Sequence, residues 1–332
     1  MNYCNSLNSS LYNFLKKNKK SIILGEDLLD PYGGAFKVTK NLSSAFRKQV
    51  IDMPISESSI IGIGAGLAHS GHKVIAELMF GDFLTLTIDQ IHNGISKSLE
   101  LIDTKYFGSL TIRAPMGAYR GYGCTHSQSI ETLLMNTPNI NIFSPNIFIN
   151  PGKLLSRVIE KEKLSLFIEH KVSYNKECEI KTYKNTDLII ENFDDYTIVK
   201  LFNETPEFSI ITYGHVSELG LGAIYDHFIQ NEINGELIVL NKINDIKSEL
   251  FNNIKTNQIL TLEESISNNG WGKMISNGIY KAKFNKLNKP IINIGSKSRI
   301  IPSSVEKEKL VLPSIAQIQK EIINLLNWKN EK

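Results

Sequence analysis

The chain has 332 residues, with 37 Lys and Arg against 34 Asp and Glu, and 42% of it is hydrophobic. That leaves room for two α/β domains of ordinary size and marks a globular chain, neither disordered nor fibrous. A net charge of +3 with scattered lysines argues against a nucleic-acid face, and three widely spaced cysteines against a disulfide framework or zinc site. The first residues hold no apolar signal core, and no run nears the ~20 apolar residues of a membrane span. The expectation is a soluble, cytoplasmic protein.

Strands and helices alternate along the chain. Residues 21–27 read as a strand ending in the acids Glu26 and Asp27, and Gly33 and Gly34 as a turn before an amphipathic helix over 35–48. A short apolar strand over 50–55 leads into a helix opened by Ser56 and Glu57 and carrying Gly62, Gly64 and Gly66. Next come a strand over 73–79, the loop 80–83, a long helical pattern over 84–100 and a strand over 110–115 stopped by Pro115. A glycine-rich loop over 116–125 precedes a helix through Met135, then strands over 140–145 and 164–169 flank a helix over 151–162. The polar stretch 176–207 reads as a linker with one hairpin. A second alternation follows: strands at 208–213, 237–241, 259–263 and 291–294, helices at 216–230, 245–254, 272–283 and 313–326. This rhythm indicates a doubly wound, mostly parallel sheet over 1–175 and a smaller α/β domain over 208–332.

Ligands of such sheets bind outside the carboxyl ends of the strands. Those ends carry Glu26, Glu57, the stretch from Met79 to Phe83 and the loop from Arg113 to His126. A carboxylate in the first helical turn is favoured by roughly 0.3–1 kcal/mol, whereas each glycine in that helix costs up to ~1 kcal/mol relative to alanine. Close approach of another helix, backbone or ligand is the usual compensation. Alone, the stretch also fits a dipole-stabilising glutamate on a tightly packed helix. Thr125 and Gln128 fit a capping box, with Ser127 as a competing cap, and either places His126 near a helix amino end, where the neutral imidazole is favoured. A loop histidine of this kind also fits a plain surface position. The Gly62-x-Gly64-x-Gly66 run is not a dinucleotide fingerprint, since Leu67 stands at its sixth position. A phosphate loop, an H-E-x-x-H helix and a nucleophile elbow are missing from the sequence.

Taken together, Gly25-Glu-Asp with 33–39, Pro54-Ile-Ser-Glu57, Glu77-Leu-Met-Phe-Gly-Asp-Phe83, Asp89–Asn93, His126-Ser-Gln128, 167–171 and Leu262-Glu-Glu264 resemble a known family. It is the β subunit of the decarboxylating component of 2-oxo acid dehydrogenase complexes, within the transketolase-like thiamine diphosphate enzymes. The resemblance runs nearly the whole length. It implies that residues 1–175 bind the aminopyrimidine half of thiamine diphosphate and that 208–332 form a transketolase C-terminal-like domain. Glu57 matches the glutamate that bonds the pyrimidine ring nitrogen, Phe83 the aromatic stacked on that ring, and Met79 a wall of the same pocket. His126 matches the histidine beside the reacting carbon, and Glu26 an acid linking paired active sites.

The family's diphosphate- and magnesium-binding half carries Gly-Asp-Gly followed by Asn-Asn, but here Gly81-Asp82 is followed by Phe83. The resemblance therefore implies half a site and no metal ligands of its own. A separate α-type subunit would complete the site and bind most of the Mg2+, most simply in a heterotetramer. A lipoyl-bearing acyltransferase core is a further expected partner. The chain departs from the family at Leu86, at the basic Lys297 and Arg299, and in a tail over 328–332 that runs past the usual ending. A second reading of the same chemistry is a transketolase-like or acyloin-forming enzyme with an aldehyde acceptor. A catalytically silent assembly subunit would not retain Glu57, Phe83 and His126 together.

Overall fold

The computed structural model describes residues 1–287 and 289–327, so the 328–332 tail lies outside the described residues. The chain divides into two compact units, residues 1–117 with 125–178, and residues 118–124 with 179–332.

The first unit is built on six parallel strands: β1 (Ser21–Gly25), β2 (Val50–Asp52), β3 (Lys73–Glu77), β4 (Ser109–Met116), β5 (Asn141–Phe143) and β6 (Leu164–His170). They lie in the order β2-β1-β3-β4-β6-β5. Every residue of β4 and β6 is buried, as expected of central parallel strands covered on both faces. A helix over Tyr3–Lys17, not anticipated from its Asn- and Lys-rich sequence, packs Tyr3, Leu7, Leu11 and Phe14 onto Ile23, Ile75 and Phe167. Fully burying each such side chain contributes ≈ 1.5–3 kcal/mol, which outweighs the poor local propensity.

In the second unit, β7 (Thr182–Tyr183) and β8 (Thr186–Asp187) form a hairpin, followed by β9 (Ile189–Asn192), β10 (Tyr196–Lys200), β11 (Phe208–Tyr213), β12 (Gly235–Leu240), β13 (Ile259–Ile266) and β14 (Ile292–Ser296). The sheet order is β14-β13-β11-β12-β10-β9, parallel from β14 to β12 and antiparallel thereafter. Both sheets thus bear out an α/β, mostly parallel architecture. The 176–207 stretch, expected as a linker with one hairpin, holds that hairpin but also supplies two strands of the second sheet; β10 is buried along its whole length. A short helix over Val305–Val311 also escaped the sequence reading.

Two further expectations fail for identifiable reasons. Over 35–48 the only helix is Leu42–Ala45. Lys37 and Asn41 take left-handed backbone conformations, with φ of 64° and 66°. Asp30 draws this segment around itself by accepting from the Asn41 and Ser44 amides and both serine hydroxyls of Ser43 and Ser44. Strand β4 does not stop at Pro115 but continues to Met116. Arg113 pairs toward β3, so Pro115, two residues on, faces the same side, where β3 has already ended. Its missing N–H costs no ladder bond there. Residues 84–100 are helical, but as a tight turn over Gly81–Thr87, a widened segment over Asp89–Ser96 and an α-helical end over Lys97–Leu101.

Burial pushes the Asp30 carboxyl up, but the Ser44, Ser43 and Asn41 hydrogen bonds outweigh it and hold the pKa at about 2. A depressed pKa stabilises the fold above the unfolded value near ~3.9, and that stabilisation is lost as pH falls through the folded one. Thermal unfolding followed from pH ~4.5 to ~2 should show a steeper fall in Tm for the native chain than for Asp30→Asn, in keeping with that linkage. Parallel curves would show that Asp30 does not organise the 35–48 segment.

Candidate active site

The strand ends of the first sheet are held by a buried ionic group. Arg113, fully buried in β4, donates its Nε and one terminal nitrogen to Glu169 Oε1 and Oε2 at 2.6 and 2.7 Å, and its other terminal nitrogen to Glu77. Glu169 Oε2 also accepts from the Tyr174 hydroxyl at 2.8 Å. Burial lowers the guanidinium's proton affinity, but Glu169 and Glu77 outweigh it, so Arg113 stays charged. An arginine inside an apolar strand, with glutamates at or next to the ends of both neighbouring strands, was the available sequence signal.

On one side of this group stand the carboxylates. Glu57 opens the helix Glu57–His69 as expected, with Ser56 at its N-cap, although the Ser56 hydroxyl bonds Ser59 instead of a backbone amide. The residue is only 7% exposed, yet its carboxyl makes no hydrogen bond or ion pair with any described residue. Glu26 follows β1, and its pKa is raised by burial and then by the charges of Glu57, Asp27 and Asp52. Ser58 donates to Leu86 O at 2.7 Å, tying the start of the glutamate helix to the Gly81–Thr87 turn that carries Phe83. Of the three helix glycines only Gly64 is closely packed within the chain, its Cβ position 3.2 Å from Leu110. Gly66 has nothing within 4 Å, and Gly62 meets only Gln90 at 4.0 Å.

Across β3 and β4 the aromatic residues gather. The His126 ring stands edge-on to Phe80 at 4.6 Å and to Phe83 at 5.3 Å. Met79 lies half-buried beside Phe80, after the buried Leu78. His126 Nδ1 is 2.8 Å from the Thr125 hydroxyl, and Nε2 has no partner among the described residues. The expected helix through Met135 is absent, however, and only a single turn forms over Glu131–Leu133. His126 therefore receives no helix dipole. Lys171 Nζ donates to His126 O at 2.7 Å, and Gln128 N donates to Asp82 Oδ1 at 3.3 Å. Gly117, at φ 95°, starts the preceding loop, and a Cβ there would overlap the His170 ring at 2.0 Å. Residues 118–124, grouped with the second unit, give their amides to its acids: Ala118 to Glu264 at 2.6 Å, Tyr119 and Gly121 to Glu308, each at 2.9 Å. A cavity of about 210 Å³ beside Phe193 and Tyr196 in the second unit holds none of the expected site residues.

These groups suit one half of a cofactor better than a whole one. The Glu57 side chain is largely buried, and its carboxyl, without a protein partner among the described residues, is open to a ligand's hydrogen bond. With the half-buried Phe83 ring, it fits an aminopyrimidine. Among the described residues no cluster of three or more His, Cys, Asp or Glu is placed to hold a metal ion.

The fold is a parallel α/β unit joined to a second, mostly parallel α/β unit. Residues 1–176 match the family described as transketolase, pyrimidine binding domain, and the chain belongs to that family. Over most of its length it is similar to proteins named pyruvate dehydrogenase E1 component subunit beta. That from Rhizobium meliloti (strain 1021) is 25% identical over 320 residues, covering 94% of this chain and 67% of the relative. That from Gracilaria tenuistipitata var. liui is 28% identical over 319 residues, covering 93% and 95%. A mitochondrial subunit beta-1 from Arabidopsis thaliana is 26% identical over 317 residues, covering 94% of this chain and 86% of the relative. A solved split-gene transketolase, titled an inactive beta4 tetramer, superposes with a TM-score of 0.71 at 18% identity, covering 98% of both chains. That likeness establishes the fold.

Removing one partner of a buried ionic group leaves uncompensated charge. Arg113→Met should therefore cost about 3–5 kcal/mol in urea unfolding, and adding Glu77→Gln and Glu169→Gln should recover much of it. A loss under ~1 kcal/mol, the range of exposed ion pairs, would contradict this.

Proposed function

We propose that this chain is the β-type subunit of a thiamine-diphosphate-dependent 2-oxo acid dehydrogenase, the decarboxylating component that passes an acyl group to lipoamide. The observation that carries the reading is the buried, unpartnered Glu57 carboxyl on an element tied to the Phe83 turn, with Phe83 against the His126 ring. Named relatives over nearly the whole chain support the same reaction class. When bound, the cofactor supplies the nucleophilic carbon and the electron sink that decarboxylation of a 2-oxo acid requires. Glu57 would hold a proton at the pyrimidine ring nitrogen and so set the acid–base state of the ring. Phe83 would stack on the ring, Met79 would line the pocket, and Glu26 would link paired sites. His126 would orient the 2-oxo acid or move a proton during acyl transfer through Nε2.

An α-type partner would bring the diphosphate and Mg2+ ligands that this chain's sequence lacks. The uncovered Gly62 and Gly66 on the glutamate helix support a partner: each costs helix stability, and no close packing within the chain offsets it. A heterotetramer of two chains of each kind and docking on a lipoyl-bearing acyltransferase core complete the proposal. The cytoplasm is the compartment proposed, from sequence composition. No described helix is long and apolar enough to cross a membrane.

Two substitutions test the assignment in the assembled enzyme. Glu57→Gln should reduce turnover by ~10²–10⁴-fold without preventing assembly, as removal of a positioned acid–base group does. Activity within a few-fold of normal would make Glu57 a helix-end charge and nothing more. His126→Ala should lower acylation of a free lipoyl domain by ~10²-fold or more, and decarboxylation with an artificial oxidant much less. If the unmodified enzyme acylates no lipoyl domain and instead joins its acyl unit to an aldehyde, the acyloin-forming reading replaces this one.

A further inference from the structure

A lysine ammonium inside a protein needs compensation, and that of Lys171 reaches the loop that carries His126. Lys171 directly follows β6 and is only 1% exposed. Its amide donates to Met116 O at 3.1 Å, which fixes its backbone to the end of β4. Its ammonium donates to His126 O at 2.7 Å and lies 5.5 Å from the centre of the Phe80 ring, the same ring that meets the His126 imidazole. Burial raises the Asp82 pKa and the nearby Lys171 charge offsets part of that rise, while Asp82 Oδ1 accepts from the Gln128 amide. One buried cation thus touches the backbone of the histidine, the aromatic wall beside it and the field of the acid that holds the next turn. A hydrogen bond to a charged group contributes ≈ 1.5–3 kcal/mol, more than an exposed loop obtains from its own turns. Since 126–130 form no helix, this bond takes over what a helix would have supplied.

We propose that Lys171 is a positioning residue for His126: through the His126 carbonyl it holds the imidazole against Phe80 and Phe83. The proposal rests on the role given to His126 above. Lys171 does not reach the chemistry itself. A misplacement of ~1 Å at a catalytic group can cost ~10²-fold, so the bond matters in proportion to the step that uses His126.

The test uses the enzyme assembled with its α-type partner, a free lipoyl domain and a 2-oxo acid. Lys171→Met removes both charge and donor at similar volume. It should lower lipoyl-domain acylation by ~10-fold or more while decarboxylation with an artificial oxidant stays within ~3-fold, the split expected of a loss in positioning. Lys171→Arg, which keeps charge and donor, should restore the ratio at least in part. Amide exchange read by mass spectrometry should rise in 125–130 and not in β4 or β6. If the methionine variant does not assemble, Lys171→Gln takes its place with the same split and exchange pattern expected. Equal losses in both assays, or no change in either, would overturn the proposal when His126→Ala itself shifts the ratio. If His126→Ala leaves the ratio unchanged, the role given to His126 fails, and exchange alone judges Lys171. Faster exchange confined to 125–130 supports it, and unchanged exchange there overturns it.

Discussion

Arg113 is the point at which the first sheet cannot be rearranged. It lies in the strand between β3 and β6, and its guanidinium holds a glutamate at or next to the end of each: Glu77 closes β3 and Glu169 is the penultimate residue of β6. A charge at that depth has to be matched or the strands cannot close over it, and here two carboxylates and the Tyr174 hydroxyl do the matching. The register of three adjacent strands is thereby tied to one side chain. Everything that follows those strands starts from fixed positions: Leu78 to Phe83 after β3, Gly117 after β4, His170 and Lys171 after β6. The candidate site is assembled from these segments, together with the glutamate helix that follows β2.

This arrangement explains why chemistry-bearing residues so far apart in sequence meet. Phe83 and His126 stand on different connections, yet their rings touch because β3 and β4 are adjacent and in register. Glu26 and Glu57 follow β1 and β2, another adjacent pair, and after burial the Glu57 charge is the next cause that raises the Glu26 pKa. Gly62 and Gly66, uncovered on the helix that Glu57 opens, cost helix stability that no described neighbour offsets. They suit a protein whose folded partner and cofactor complete the surface.

Much of this was legible in the sequence. The strand–helix alternation, the start of the helix at Glu57 and the clustering at strand ends follow from apolar periodicity and N-terminal chemistry, both local signals. The failures were places where distant groups won over local ones. Thr125 and Gln128 have capping-box spacing, but the Thr125 hydroxyl meets His126 Nδ1, the Gln128 amide bonds Asp82 Oδ1, and only Glu131–Leu133 is helical. In 35–48, Asp30 accepts from the Asn41 and Ser44 amides. The Tyr3–Lys17 helix was hidden by its asparagines and lysines, although Tyr3, Leu7, Leu11 and Phe14 keep helical spacing. The strand Tyr196–Lys200 was hidden by its polar surroundings, and burial against β12 reveals it. The comparisons establish the family; the site roles of Glu57, Phe83 and His126 rest on geometry and resemblance.

The central claim is that this chain carries the pyrimidine half of a cofactor site and leaves the diphosphate half to a partner. Calorimetric titration of thiamine diphosphate with Mg2+ measures that directly, first into the purified chain and then into the chain assembled with its α-type subunit. The account predicts no micromolar, magnesium-dependent binding to the chain alone, and such binding together with activity once the partner is added. Tight magnesium-dependent binding to the chain by itself would contradict it.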